Sequence, residues 1–300
     1  MRRVLCRSRP LCYASVWEFG GAAGDHAGAL PEPKPHRDDS SPHSKAMNHP
    51  ASPGPELLRI PESDIRRHGP GRVLGVVWRQ WWAERNLARR GIRFRKTDVE
   101  EVRRAYAAMT SEEFDVINGR QDWANWRTIP RSLSGRVLDK PLRVLDLGCG
   151  TGGSTRVLAF YCPLGSRITA YELAEPLWDV ARRRAYRHRS GKEITVDFCC
   201  QPITETLREP DGSPVAEKSV DVASASGVVG HHLNAETVQP LIQELLRVLR
   251  PGGLAMLDVG PTLRLEPLRK LLYSAGFTFV ARTRSWFLDP TGQAVFRLQP

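Results

Sequence analysis

The sequence predicts an α/β protein: a doubly wound, mostly parallel seven-stranded sheet with a C-terminal antiparallel hairpin, preceded by a helical cap. Three observations predict it. From Arg143 onward, short apolar runs alternate with longer amphipathic stretches, the rhythm of parallel strands joined by crossover helices. The first run ends in a glycine-rich turn, Gly148-Cys149-Gly150-Thr151-Gly152-Gly153, which lets the backbone bend sharply into the next helix. The last two runs, Phe277 to Arg282 and Ala294 to Leu298, follow one another with no helical stretch between them.

Residues 1–60 are predicted to stay disordered. Gly20-Gly21-Ala22-Ala23-Gly24 and the stretch from Pro31 to Pro55 are rich in Pro, Gly, Ser, His and Asp, and such segments bury too little apolar surface to offset chain entropy. The basic start, Met1 to Arg7, lacks the apolar region of a secretory signal. Met47 stands just before the more ordered part as an alternative start, and the intact mass of the natively expressed protein distinguishes the two.

Residues 61–139 read as the helical cap. Val73, Leu74, Val77, Trp78, Trp81 and Trp82 recur at three- and four-residue spacing, with Arg79, Glu84 and Arg85 on other faces. Thr97 with Glu100 is a capping-box start for a helix carrying Val99, Val102, Tyr106 and Met109. Thr110 with Glu113 repeats the signal. Gln121 to Arg127 sets polar side chains beside Trp123 and Trp126. Two roles stay open for it: the rim of a substrate pocket, or tryptophans packing helices on the sheet.

Residues 140–300 form the α/β domain. Strands are predicted near 143–147, 167–172, 193–199, 219–225 and 254–259, and helices near 154–161, 175–189, 236–249 and 264–275. Pro251-Gly252-Gly253 ends the helix that closes at Arg250 and turns the chain into the fifth strand. Arg182, Arg183, Arg184, Arg187 and Arg189 fall late in the second helix, where cations complement its negative end.

Composition limits the function classes. No run of about twenty apolar residues exists, so no membrane span is expected. Six cysteines show neither a C-x-x-C pair nor metal-ligand spacing with histidine. They read as buried thiols of a cytoplasmic protein, with no metal expected. The formal net charge of +11 is uneven: residues 1–140 hold 25 Lys and Arg against 17 Asp and Glu, residues 141–300 hold 19 against 16. That excess fits nucleic acid, an anionic membrane surface, acidic substrates or a simple solvated face.

Chemistry concentrates at the glycine turn. Gly148, Gly150 and Gly153 satisfy G-x-G-x-x-G, and Glu172 ends the second strand where a dinucleotide fold places its ribose acid. Glycine spacing alone does not separate a nicotinamide enzyme from one using S-adenosylmethionine. Asp146 argues for the second. Its charge near the strand end repels a pyrophosphate and attracts an ammonium, by about 4 kcal/mol at 4 Å and intermediate dielectric.

Val144 to Gly152 resembles the first motif of class I S-adenosylmethionine-dependent methyltransferases. Tyr171-Glu172 resembles the family's ribose-binding acid, Ser219 to Ala225 its fourth strand followed by Gly230-His231-His232-Leu233, and Leu246 to Gly253 the turn into its fifth strand. The end hairpin resembles the family's last two strands, which a simple dinucleotide fold does not predict.

The resemblance implies S-adenosylmethionine as cofactor. It implies that Gly148, Gly150 and Gly152 close round the methionine and ribose. Asp146 holds the amino end, directly or through water, and Glu172 takes the ribose hydroxyls. Leu173 packs beside the adenine, Gln201 reads its amino group, and Ser226 binds the cofactor at the start of a loop facing the reacting methyl. His231 and His232 are the titratable candidates there for catalysis. No Asn/Asp-Pro-Pro-Tyr-type motif appears at that loop, which argues against adenine-N6, cytosine-N4 or glutamine acceptors. The expected function is methyl transfer to a small apolar or aromatic molecule. RNA methylation through the basic cap and a non-catalytic cofactor-binding module are the alternatives.

Overall fold

The computed structural model describes residues 71–133, 140–286 and 289–300. The predicted disordered segment 1–60, Met47 and residues 61–70 of the cap lie outside the described residues.

Four helices precede the sheet among the described residues: α1 (Gly71–Arg89), α2 (Val99–Ala107), α3 (Ser111–Ile117) and α4 (Gly119–Leu133). The cap of α2 is Asp98, not Thr97. Its carboxylate accepts from the Glu101 amide at 2.8 Å, one residue later than the expected box. At α3 the reciprocal box forms as read. Thr110 accepts from the Glu113 amide, and Glu113 accepts from the Thr110 amide, both at 3.1 Å.

Helix α4 resolves the question left open for its tryptophans. Trp123 and Trp126 are only 2% and 7% exposed, with Ile129 and Leu133 also buried. The Arg131 guanidinium donates to the Arg284 carbonyl at 2.8 Å, and the Ser132 and Thr283 hydroxyls bond at 2.9 Å. Trp126 packs the helix on Phe160 and the sheet and Trp123 packs it on Val73 of α1, while Gln121, Asp122 and Asn125 of the same helix face a cleft.

The sheet has the expected class. Strands β1 (Arg143–Leu147), β2 (Arg167–Glu172), β3 (Thr195–Cys200), β4 (Val220–Ala225) and β5 (Leu249–Asp258) run parallel. Strands β6 (Phe277–Trp286) and β7 (Asp289–Leu298) form the antiparallel hairpin, and the order is β3-β2-β1-β4-β5-β7-β6. Between them run α5 (Gly153–Tyr161), α6 (Glu175–Arg182), α7 (Val229–His232), α8 (Gln239–Val248) and α9 (Leu265–Ser274). Central strands are apolar on both faces because both are covered. Val144 and Val222 pack with Ile129 and Leu158, whereas Leu145 and Ala223 pack with Leu241 and Leu268.

Both hairpin strands are longer than expected, and two other boundaries moved. Helix α6 stops at Arg182 instead of running to 189. Tyr186 is drawn into the core, its hydroxyl donating to the Ala181 carbonyl at 2.8 Å. Arg183, Arg184, Arg187 and Arg189 therefore lie beyond the helix. Strand β5 starts at Leu249, so Pro251-Gly252-Gly253 sits inside it, where its pairing with β4 shifts register, and not in a turn before it.

Cys149, Cys162 and Cys199 are buried free thiols and Cys200 is an exposed one. Among the described residues no helix is long and apolar enough to cross a membrane.

Candidate functional site

The cleft opens at the carboxyl end of β1, where strand order reverses between β2 and β4, the usual ligand crevice of such sheets. The Gly148 and Cys149 amides both donate to the Tyr171 carbonyl at 2.9 Å, which pins the turn to β2. Glu172 pins it again. One carboxylate oxygen accepts from the Gly150 amide at 2.8 Å and the other from the Ala174 amide at 2.9 Å. Burial raises the Glu172 carboxyl against those bonds. Glycine is required at two points. Gly152 has φ +90° and a Cβ there would lie 2.1 Å from the Tyr186 hydroxyl, while at Gly150, φ +56°, it would lie 2.5 Å from the Phe114 ring.

Asp146 lies under the turn and does not line the cleft as expected. It is fully buried. Its Oδ2 accepts from Ser154 Oγ at 2.8 Å and Thr155 Oγ1 at 2.6 Å, and its Oδ1 has no partner. Burial pushes its carboxyl up to about 6. Ser154, which does line the cleft, connects it to the surface of the site.

The cleft has three lobes that meet at Asn118. The first is apolar, with Val99, Val102, Leu173, Ile203 and Val228 around Glu172. The second is polar and charged. Arg184 pairs with Asp115 at 2.9 Å and Arg156 with Asp122 at 3.0 Å. Thr151 Oγ1 also donates to Asp115. The outer lobe lies between α1 and the loop after β4. Phe94, Tyr106, Ile117 and Pro261 give its wall an apolar part, and Gln80, Glu84, Arg95, His231 and Thr262 a polar rim.

Gly148 and Ser226 stand between the first two lobes, and Leu173 in the first. Gln201 is absent from the walls. Its amide is spent on the Thr206 carbonyl at 3.2 Å and the Arg208 amide at 3.1 Å. Pro202, Ile203 and Thr204 form that wall instead.

The loop after β4 is held by a carboxylate at the end of β5. Asp258 accepts from the Val228 and Val229 amides at 3.0 Å and the Gly230 amide at 2.9 Å. His231 is exposed toward the outer lobe, and His232 is buried between that lobe and the first. His232 Nδ1 lies 3.0 Å from the Lys96 carbonyl, which can only accept, so Nδ1 carries the proton. Nε2 is then the acceptor of the Tyr106 hydroxyl at 2.8 Å. Burial lowers the imidazole. Burial, and secondarily the Glu172 charge, raises the Tyr106 phenol. Both groups are neutral near pH 7.

Tyr106, Phe114 and Asn118 were not singled out from sequence. Tyr106 was legible only as one member of an apolar stripe. Asp258 carried a usable signal, a carboxylate ending an apolar strand as Glu172 does.

Comparison with known proteins agrees with the geometry. A family model described as a methyltransferase domain matches residues 144–253. Demethylmenaquinone methyltransferase of Tropheryma whipplei (strain Twist) is 31% identical over 138 residues, covering 46% of this chain and 48% of that protein. The 24-methylenesterol C-methyltransferase 2 of Oryza sativa subsp. japonica is 30% identical over 112 residues, covering 37% and 27%. The malonyl-[acyl-carrier protein] O-methyltransferase of Serratia marcescens is 30% identical over 114 residues, covering 38% and 36%. The chain thus spans less than half the length of these three relatives.

Proposed function

Through residues 144–253 the chain belongs to the class I S-adenosylmethionine-dependent methyltransferases, with S-adenosylmethionine as cofactor, and from that premise we propose that it methylates a small apolar or aromatic molecule held in the outer lobe. The observation that carries this reading is the Tyr106–His232 hydrogen bond, in the wall between the first lobe and the outer one.

The residues fit the cofactor. An apolar lobe bounded by one carboxylate suits adenosine. A lobe with two arginine–aspartate pairs offers opposite charges to an ammonium and a carboxylate. A buried carboxylate with an unpartnered oxygen costs free energy that function would explain. Bound there, S-adenosylmethionine supplies an electrophilic methyl on a positive sulfur, with a neutral thioether as leaving group.

Each protein group then has one task. Glu172 holds the ribose hydroxyls while its backbone bonds keep the glycine turn in place. Leu173 and Ile203 pack the adenine. Arg184 and Arg156 face the carboxylate end, and Asp122 faces the ammonium end, with Asp146 acting through Ser154. Tyr106 meets the acceptor. Its oxygen takes the acceptor's proton as its own proton passes to His232 Nε2, and the Lys96 carbonyl steadies the imidazolium. Alignment under a cap that keeps water out is worth up to about 7–11 kcal/mol, and a placed base adds roughly a hundred- to ten-thousand-fold. The names of the three relatives specify a methylenesterol, a demethylmenaquinone and a malonyl-[acyl-carrier protein]; the first two support an apolar acceptor.

The test is a screen of cell metabolites with purified protein and labelled cofactor, read as a mass gain of one methyl with formation of S-adenosylhomocysteine. Methylation of bulk RNA, and not of metabolites, would replace the acceptor. Binding without any S-adenosylhomocysteine would make the chain a non-catalytic module.

A further inference from the structure

Helix α1 has three sides with different neighbours. Val73, Val76 and Leu87 are buried. Gln80 and Glu84 line the outer lobe. The third side carries Leu74, Val77, Trp78, Trp81 and Trp82, which stand in water at 75%, 40%, 64%, 51% and 41% exposure. Their spacing of three and four residues makes one continuous stripe. The indoles already pack edge to face, Trp78 on Trp82 at 6.1 Å and Trp81 on Trp82 at 5.3 Å. An apolar face of this size on a water-soluble surface marks a contact site.

Charge beside the stripe indicates what covers it. Residues 71–104 carry ten basic and four acidic residues. Arg79, Arg85, Arg89 and Arg93 have no carboxylate partner among the described residues. Arg85 lies over the Trp81 ring at 5.6 Å. Indoles settle at the boundary between headgroups and acyl chains, and arginines beside them meet anionic headgroups. Leu74 and Val77 complete the stripe with aliphatic surface, which stacks on no base and favours acyl chains over RNA. We propose that α1 docks by this face on an anionic lipid surface. The outer lobe, walled by the same helix, then opens beside the bilayer. That the acceptor enters from the lipid rests on the function proposed above; the docking does not.

Cosedimentation of the full chain with vesicles tests it, using phosphatidylcholine alone and phosphatidylcholine mixed with phosphatidylserine. Tryptophan emission provides a second readout. The expected result is binding to the mixed vesicles, weakened by salt, with a blue shift of emission. The double variant Trp78→Ala/Trp81→Ala should bind about tenfold more weakly or worse. Arg79→Glu and Arg85→Glu should each lose about fivefold or more. Calorimetric affinity for S-adenosylmethionine should stay unchanged in all of them, because none touches the cofactor lobes, and that shows the fold intact. Absence of binding to mixed vesicles overturns the proposal, as does equal binding by the variants. Preferential binding of bulk RNA overturns it, and so does a dimer that the tryptophan variant dissociates. A parent chain that transfers methyl but does not dock counts against this surface alone, and a parent chain that docks but transfers no methyl counts against the proposed function alone.

Discussion

Helices α1 and α4 both carry tryptophans at helical spacing, and the two sets meet opposite fates. Those of α4 are enclosed, Trp123 against Val73 of α1 and Trp126 against α5 and the sheet, edge to face on Phe160 at 5.3 Å. Those of α1 are left in water. Yet each helix lends polar residues to the same cleft: Gln121, Asp122 and Asn125 from α4, Gln80 and Glu84 from α1. The difference teaches that apolar spacing reports a face, while the neighbour decides whether that face is core or contact surface. On α1 the face read from sequence began with Val73 and ran through the tryptophans; the buried set is instead Val73, Val76 and Leu87.

The sharpest way to break the comparison is to truncate the covered side. Trp126→Ala should destabilise the fold by about 3–5 kcal/mol, since it empties a closed site; denaturant unfolding measures it. An effect below about 1 kcal/mol would mean that α4 is no more covered than α1.

Glu172 tests the polar half of the buried region. Glu172→Ala removes the acceptor of two backbone amides and, in the proposed binding mode, of the ribose hydroxyls. S-adenosylmethionine affinity should fall about a hundredfold, read by calorimetry with circular dichroism unchanged. His232→Ala should slow single-turnover transfer by about a hundredfold while cofactor affinity holds. A normal rate removes histidine from the mechanism.

Asp146 separates a buried charge from an exposed one. Its folded value, about 6, lies above the ordinary 3.8, so the folded state binds the proton more tightly. The resulting stability is present below pH 3.8 and is lost as pH rises through about 6. A shift of two units corresponds to about 3 kcal/mol. Asp146→Asn should therefore flatten melting temperature between pH 4 and 7 and stabilise the protein at neutral pH, while weakening cofactor binding. A melting profile as pH-dependent as the parent's would contradict that assignment.

The smallest effect belongs to the bare side. Trp78→Ala should change unfolding free energy by no more than about 0.5 kcal/mol, because little surface is recovered from water on folding. A large loss would show that the stripe is covered within the molecule.

What sequence alone determined is what is local in the chain. The strand, turn and helix from Val144 to Tyr161 were legible because glycines at positive φ and an apolar strand are neighbours in sequence. So was Glu172, one strand away, and so was the hairpin, since each depends on short-range pattern. Tertiary structure alone decided which groups meet. Tyr106 and His232 lie 126 residues apart and touch only because Asp258 holds one loop and α2 crosses another. Gln201 was lost to its own loop because nearby backbone groups bid for its amide first. Asp146 went under the turn because the hydroxyls of Ser154 and Thr155 took its oxygen. Residue type and spacing specify what a side chain can bond, but the choice among partners is made by distance, and distance between remote segments exists only once the chain has folded.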